Sequence, residues 1–584
     1  MSKSKGNKVD LEAYRHSVAH LLAAAVMGLY PDTKRAIGPA IENGFYYDFE
    51  FSKPISEDDL PKIEKKMRQI LPTWDKFERK EANKEEAKKE FKDNSYKKEL
   101  IDEFSKEKKK LTLYKSGNYV DLCKGCHVAS MKDVKVDSFR LTHIAGAYWR
   151  GDEKNKQLTR IYGLAFSTKK ELDEYIGMQA EAKKRDHRLL GKKLDLFSFH
   201  ELSPGSPFFH PRGTIIFLEL QKFLREQYKS WGYQEVITPL IYSKELWEQS
   251  GHWEHFREEM FDVSMDDKEA ALKPMNCPSH ILIFKTQSRS YRDLPMRIAD
   301  FAPIHRNELK GVLGGLTRVR KFSQDDCHVF CTSEQVKDEV KKLINNVKFV
   351  YSKVFDFDFQ VELSTKPEKA MGDPKQWEYA ENALRKALEE NKVKYKLNPG
   401  EGAFYGPKID FHIKDSLGRS WQCGTEQLDF QQPEKFNIEY EGSDGKKHRA
   451  IMLHRTVLGS LERFMAILIE HYAGKFPLWL APEQVRIVTV SDKFDEYADE
   501  VAEKLRKNNV RVEVDKRAES IPKKVREAQV QYVPLIVTVG EKEAGTDTVA
   551  VRTLDGKVKF GMKVDNFILK VTSIVESREI TIDI

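Results

Sequence analysis

The sequence predicts a multidomain α+β protein that closes on a compact α/β domain, and three observations carry that expectation. A chain of 584 residues exceeds what one hydrophobic core organises, so it divides into roughly three to five domains. Up to about residue 475 it mixes apolar residues at helical spacing with short alternating runs. After Phe476-Pro477 the pattern becomes a regular alternation of strand-like and helical runs.

Taken in order, the first segment opens with an amphipathic helix around Tyr14 to Met27 and continues into a Gly-rich, strand-like piece, AIGPAIENGFYYDFEF. From Ser56 to Lys110 Lys and Glu dominate, with Leu60, Ile63, Met67 and Leu71 at helical spacing, which predicts solvated helices rather than a nucleic-acid patch because both signs are interspersed. The Pro-free charged run from Thr168 to Leu194 predicts one linker helix between two differently patterned regions. A central segment follows, with a helix at Ile216 to Trp231 and strands at Gln234 to Ile237 and Lys408 to Ile413. Between Met296 and Cys331 alternation at Met296-Arg297-Ile298 and Arg318-Val319-Arg320, with Gly311, Gly314 and Gly315 between, predicts a hairpin. The last segment reads VRIVTV, a helix with Tyr497, Val501 and Leu505 on one face, VRVEV, a second helix, VPLIVTVG and TVAVRTL.

Bulk properties exclude several classes. No apolar run reaches the ~18–20 residues of a membrane span, and the basic start MSKSKGNKVDLEAYRHS has no apolar signal core, so a cytoplasmic protein is expected. Six cysteines in so long a chain do not make a disulfide framework; thiols or metal ligands are expected. A net charge of +7, from 99 basic and 92 acidic residues, permits a polyanionic partner without requiring one.

Several clusters are chemically suggestive. Arg306 and Arg318 on the hairpin could fork onto phosphate oxygens while Glu308 accepts from an exocyclic amine, which suits a nucleoside triphosphate; salt bridges on an ordinary hairpin are the alternative. His16 and His20 stand four apart on one helical face, and Asp121, Cys123 and His127 form a second polar group in DLCKGCHV. Together they suit a four-ligand zinc site, an acid–base and water-positioning site, or no function at all. Cys277, His328 and His454 are far apart and show no local metal signature, and Gly459 to Phe464 reads as a packing face with a salt-bridged arginine.

Three pieces change this picture: Pro239 in QEVITPLI after a long helix, the hairpin FAPIHRNE to RVRKFSQDDCHVF, and GSLERF. In that order they resemble the three signature motifs of class II aminoacyl-tRNA synthetases. More narrowly, KPMNCP, HRNE, GEGAFYGPKIDF, WQCGTEQLDF and LHRTVLGSLERF, with RHSVAH, DLCKGCHV and AGAYWRGD, resemble the threonyl-tRNA synthetase family over nearly the whole chain. The resemblance implies an α+β editing domain over 1–166, a linker helix over 167–194, an antiparallel-sheet class II synthetase catalytic domain over 195–475 and an α/β anticodon-binding domain over 476–584.

It further implies that Cys277, His328 and His454 hold one zinc ion per subunit, with open positions for the amino and hydroxyl groups of threonine. Asp326, Tyr405, Gln422 and Met275 match threonine contacts. Valine has threonine's shape but cannot coordinate through a methyl, so the site rejects it, whereas serine keeps both groups. One methyl gives only about 1–3 kcal/mol of discrimination, so mischarged serine needs hydrolytic removal, for which His16, His20, Asp121, Cys123 and His127 match the family's editing cluster. Metal-free water positioning is favoured there. For activation, Arg306 matches the arginine on the α-phosphate, Arg318 and Arg463 those on the triphosphate tail, Glu308 and Phe322 the adenine acceptor and stacking ring, and Lys408 a lysine facing the reacting groups. Magnesium accompanies ATP, and His252 matches a histidine of the transfer step. Glu543 and Arg552 match anticodon contacts, an exposed ion pair being their alternative. The implied partners are tRNA(Thr), ATP, threonine and a second copy of the chain, since motif one forms the subunit interface.

The chain departs from the usual bacterial pattern in lacking the small ubiquitin-like domain before the editing domain and in placing Cys126 where proline is usual. The first seven residues, MSKSKGN, look like the lysine loop of class I synthetases but lack its partner motif, so a flexible basic terminus is expected. Two rivals stand beside the main reading, an RNA-binding paralogue without catalysis and a synthetase for another amino acid. Intact Arg306, Arg463 and the Cys277, His328, His454 set speak against the first, and against the second only that last set, which points to threonine.

Overall fold

The computed structural model describes residues 10–415 and 418–584, so the MSKSKGN segment lies outside the described residues. The chain forms two compact units, Met1–Ala180 and Glu181–Ile584.

In the first unit the helix Leu11–Leu29 begins at Asp10, whose carboxylate accepts from the backbone N–H groups of Glu12 and Ala13. Tyr14, Val18, Leu21, Leu22 and Val26 bury its apolar side against an antiparallel sheet that includes Gly44–Glu50, Gln157–Ala165 and Phe139–Tyr148. Gly44 is required there, because a Cβ would sit 2.1 Å from the Gly163 carbonyl oxygen across the ladder. The stretch expected to be solvated helices contains Leu60–Ile70, Lys84–Glu90 and Ser95–Lys106, but also the strand Glu78–Ala82. That strand edges a three-stranded sheet with Leu111–Ser116 and Tyr119–Leu122. Its charged side chains protect an edge that faces water, so it carries no apolar alternation.

The expected single linker helix is two helices, Lys169–Arg185 and His187–Lys193. Asp186 stops the first and caps the second by accepting from the Arg188 N–H, the usual behaviour of a short carboxylate that competes for nearby backbone donors.

The second unit is organised on an eight-stranded sheet in the order Gln234–Glu235, Met296–Asp300, Asp326–Cys331, Ile451–Thr456, Ser420–Asp429, Lys408–Lys414, Asp358–Ser364, Tyr395–Asn398. All inner pairs are antiparallel, and the two outermost are parallel. The helices Pro211–Ser230, Val336–Phe349 and Leu461–His471 pack their apolar residues into one large core with this sheet.

The hairpin differs from expectation. Met296–Asp300 is a strand but pairs with Asp326–Cys331, and the local hairpin joins Pro303–His305 to Lys321–Ser323. Arg318 to Arg320 are not a strand because their backbone is committed to the loop: Gly314 N–H donates to the Arg318 carbonyl at 3.2 Å, and Arg320 N–H donates to Gly205 at 2.7 Å. Their alternation marks no pleat: Val319 is buried, and Arg318 Nε and Arg320 Nε donate to the carboxylate and the carbonyl of Glu308, each at 2.9 Å. The strand expected at Gln234 to Ile237 ends at Glu235, leaving Ile237 exposed.

The C-terminal part is a five-stranded sheet in the order Val512–Asp515, Val485–Thr489, Leu535–Val539, Thr548–Thr553, Val558–Lys563. The first three strands are parallel, joined through the helices Asp495–Lys507 and Ile521–Val530, and the last two are antiparallel.

Candidate functional site

Cys277, His328 and His454, which nothing in their spacing groups, meet at the large sheet. His328 and His454 are direct cross-strand partners, so their side chains leave the same face, and Cys277 opens the helix Cys277–Phe284 beside them. One donor atom from each lies within 4.8 Å of the others, and all three residues are buried. His328 Nε2 stands 3.0 Å from His454 Nδ1. The other nitrogen of His454 lies 2.8 Å from Asp429 Oδ2, which holds the proton on Nε2 and turns the Nδ1 lone pair inward. His328 Nδ1 is 2.6 Å from His280 Nδ1. Burial depresses the His328 pKa and keeps the ring neutral. An imidazole kept neutral by burial, a second whose Nδ1 lone pair faces inward, and a thiol fit a zinc ion with an open position.

The surrounding side chains complete a small pocket. Asp326 accepts from Asn276 Nδ2 at 3.0 Å, and burial raises its pKa. The Tyr405 ring stacks on His454 at 4.9 Å, and its hydroxyl donates to Gln427. His252 is buried with Nδ1 2.8 Å from Ser250 Oγ and Nε2 3.3 Å from Met275 Sδ. Burial, followed by the neighbouring His454 and the positive charge of Arg306, lowers its pKa to about 3, so it is a neutral imidazole.

A cavity of about 340 Å³ lined by Arg306, Glu308, Arg318, Phe322, Gln422 and Arg463 gathers the hairpin and the helix Leu461–His471. The Arg306 guanidinium lies between the rings of Phe256 and Phe322, at 5.4 and 5.3 Å, and Nε donates to the Pro274 carbonyl at 3.3 Å. Arg318 and Glu308 pair with each other at 2.9 Å. Arg463 donates from Nε to the Thr317 carbonyl at 2.9 Å and from an amino group to the Gln422 carbonyl at 3.2 Å. Lys408 pairs with Asp410 at 3.0 Å, and Gln422 donates to the same carboxylate at 2.6 Å.

The first unit brings its own cluster together. His16 and His20 project from the helix Leu11–Leu29 toward Cys123 and His127, and their donor atoms also lie within 4.8 Å of one another. Cys123 Sγ is 3.5 Å from His16 Nε2 and 3.5 Å from His127 Nε2. Burial raises a thiol pKa, but hydrogen bonds from His127, His16 and His20 outweigh it and bring Cys123 to about 3. Asp121 is fully buried and takes Lys97 Nζ at 2.7 Å, Tyr119 Oη at 2.8 Å, His20 Nδ1 at 3.3 Å and Arg35 Nε at 3.4 Å. A cavity of about 450 Å³ adjoins the group. Cys126 is exposed, and its carbonyl lies 3.2 Å from His16 Nδ1.

Sequence reasoning missed Lys97, Arg35, Asp429, His280 and Gln427. Lys97 and Arg35 sit in basic runs that resemble solvent-facing ones, and the other three carry no local pattern. In the C-terminal sheet Glu543 caps its own helix, accepting from the Gly540 N–H at 3.2 Å, and Arg552 donates to the Gly556 carbonyl at 3.2 Å. Among the described residues no ion pair links the two.

Comparison with known proteins gives a consistent pattern. Residues 260–472 match the family described as tRNA synthetase class II core domain (G, H, P, S and T), and 484–574 match the anticodon binding domain. Residues 111–162 match the threonyl and alanyl tRNA synthetase second additional domain. The chain is 52% identical over 560 residues to a threonine–tRNA ligase of Caldanaerobacter subterraneus, covering 96% of this chain and 86% of that protein. It is 50% identical to one from Clostridioides difficile, covering 98% and 89%. Among solved structures, the RNA binding domain of threonyl-tRNA synthetase from Cryptosporidium parvum aligns with a TM-score of 0.65 at 45% identity, covering 66% of this chain and 98% of that one.

Proposed function

The chain belongs to the threonine–tRNA ligase family, and from that premise we propose how its residues divide the work between charging and editing. It joins threonine to tRNA with ATP through a threonyl-adenylate, and it hydrolyses mischarged seryl-tRNA. The observation that carries the residue-level reading is the facing of His328 and His454 beside Cys277, next to an arginine-lined cavity.

ATP, with magnesium, occupies that cavity. Arg306 meets the α-phosphate, where charge builds as the threonine carboxylate attacks, and Phe322 and Phe256 hold the guanidinium in place. Arg318 and Arg463 hold the triphosphate tail, and Glu308, released from Arg318, accepts from the adenine amine. Lys408 faces the carboxylate and phosphate. Zinc, when held by Cys277, His328 and His454, supplies a Lewis-acid centre open to the threonine amino and hydroxyl groups. Asp326 accepts from the hydroxyl, Tyr405 and Met275 wall the pocket, and Gln422 is a further threonine contact, its carbonyl receiving Arg463. His252, a buried neutral imidazole beside Met275, is the residue we assign to the transfer step.

In the editing unit Asp121 orients His20, and His16, His127 and Cys123 hold the attacking water without a metal. Glu543 and Arg552 contact anticodon bases. The exposed Ile237, Leu240 and Ile241 suit a homodimer interface. Cytoplasmic residence fits the tRNA substrate and a chain in which no helix of the described residues is long and apolar enough to cross a membrane.

The test is substitution at each centre. Cys277→Ala abolishes threonine activation, and Cys123→Ala leaves activation intact while seryl-tRNA accumulates. Activation surviving without Cys277, or unchanged deacylation without Cys123, contradicts the assignment concerned.

A further inference from the structure

The helix His187–Lys193 reaches the turn beside the ATP cavity through one buried side chain that the reaction scheme leaves unused. His187 engages a single carboxylate oxygen of Glu470 twice, by its backbone N–H at 3.0 Å and by Nδ1 at 2.6 Å. Its other ring nitrogen, Nε2, lies 3.1 Å from the backbone N–H of Leu316 and accepts from it. Accepting at Nε2 while donating at Nδ1 requires one tautomer of the neutral ring, and the Glu470 carboxylate selects it. The second Glu470 oxygen is held by Arg419, which donates from Nε to Asp415 at 2.7 Å.

Leu316 belongs to the turn Gly315–Thr317, and the carbonyl of the next residue, Thr317, receives Arg463 Nε at 2.9 Å. Arg463 lies in the first turn of the helix Leu461–His471 and Glu470 near its last. The turn is therefore fastened to both ends of one helix, directly by Arg463 and through His187 by Glu470. Gly315 permits the approach: it has φ +61°, and a Cβ there would sit 2.4 Å from His187 Nε2. Asp186, His187 and Glu470 also have the composition of a metal site, but both ring nitrogens of His187 are already engaged by protein groups.

We infer that His187 is a positioning residue for ATP: its Glu470-selected tautomer fixes the Gly315–Thr317 turn and, through the Thr317 carbonyl, aims Arg463 at the triphosphate. The inference rests on the proposed role of Arg463. A buried His–Glu pair that only stabilises the fold would affect all substrates alike, whereas a positioning residue affects ATP selectively.

The test is ATP–pyrophosphate exchange on the full chain with KM measured separately for ATP and threonine, together with urea unfolding midpoints. His187→Asn keeps a donor near Glu470 and loses the acceptor for Leu316, so KM for ATP rises about tenfold with KM for threonine unchanged. His187→Gln, whose amide oxygen reaches toward Leu316, recovers most of that loss. Gly315→Ala displaces the turn from the opposite side and gives the same ATP-selective change, which covers a failure of either His187 variant to fold. An unchanged ATP KM in both His187→Asn and Gly315→Ala, or parallel rises for ATP and threonine with a falling midpoint, overturns the inference. Arg463→Ala separates the two proposals: if it leaves KM for ATP unchanged the role of Arg463 fails, and if it alone raises that KM only the role of His187 fails.

Discussion

Asp429 shows how much of a site can rest on a residue with no motif of its own. Its carboxylate lies 2.8 Å from His454 Nε2 and fixes which nitrogen faces Cys277 and His328. Partners of this kind typically contribute about 10–100-fold to metal affinity, so Asp429→Asn weakens zinc binding by that order, read by competition with a chromophoric chelator. An unchanged affinity would mean that the tautomer is set elsewhere. Cys123 gives a second residue-scale prediction. A thiol lowered from 9.0 to about 3 is a thiolate throughout the physiological range, so its alkylation by iodoacetamide stays flat from pH 8 down to about 5. The linkage follows the same sign: the contribution of the depressed thiol to stability is full above the ordinary thiol range and is withdrawn as pH falls toward about 3. A tenfold drop in alkylation per pH unit below 8 contradicts this. The Cys277, His328 and His454 set became legible only through the family's motifs, because His328 and His454 meet by sheet register and Cys277 joins them from a helix, whereas His16, His20, Asp121, Cys123 and His127 already stood out by their spacing.

Among the elements, the turn before the helix Leu461–His471 depends on a single buried carboxylate. Asp325 accepts from the N–H groups of Val457, Leu458 and Gly459 at 2.7, 3.0 and 2.7 Å and from the Tyr228 hydroxyl at 2.6 Å. Asp325→Asn places an amide donor against one of these donors, which costs about 1–3 kcal/mol and is measured by urea unfolding. A change below about 0.5 kcal/mol would show that the turn is held by packing alone. The helices Leu11–Leu29 and Pro211–Ser230 were legible from apolar residues at helical spacing, and the C-terminal strands, such as the wholly buried Val485–Thr489, from short apolar runs alternating with helical ones. The strand Glu78–Ala82 was not, because an exposed edge strand rich in charge has no apolar period to detect. Arg318 to Arg320 misled for the opposite reason: alternation there belongs to a loop whose two arginines both hold Glu308. Asp186 broke the expected linker helix by a cap that composition alone does not reveal.

For the whole molecule, the sequence anticipated the multidomain α+β organisation, and the two units found in the structure separate the His16, His20, Cys123, His127 cluster from the Cys277, His328, His454 cluster, each with its own core. A fragment spanning 10–168 is therefore expected to deacylate seryl-tRNA without activating threonine, and a fragment spanning 181–584 to activate threonine while leaving serine on the tRNA. A first fragment that folds by circular dichroism yet lacks hydrolysis contradicts the assignment of editing to its cluster. The central claim is that a chain of this family selects threonine through Cys277, His328 and His454 and corrects serine elsewhere. ATP–pyrophosphate exchange with threonine, serine and valine in parallel tests it most directly. Exchange with threonine, less with serine and none with valine is the predicted result, because valine lacks the hydroxyl that the proposed zinc site and Asp326 would take. Exchange with valine comparable to that with threonine, or none with threonine when zinc and magnesium are supplied, would contradict it.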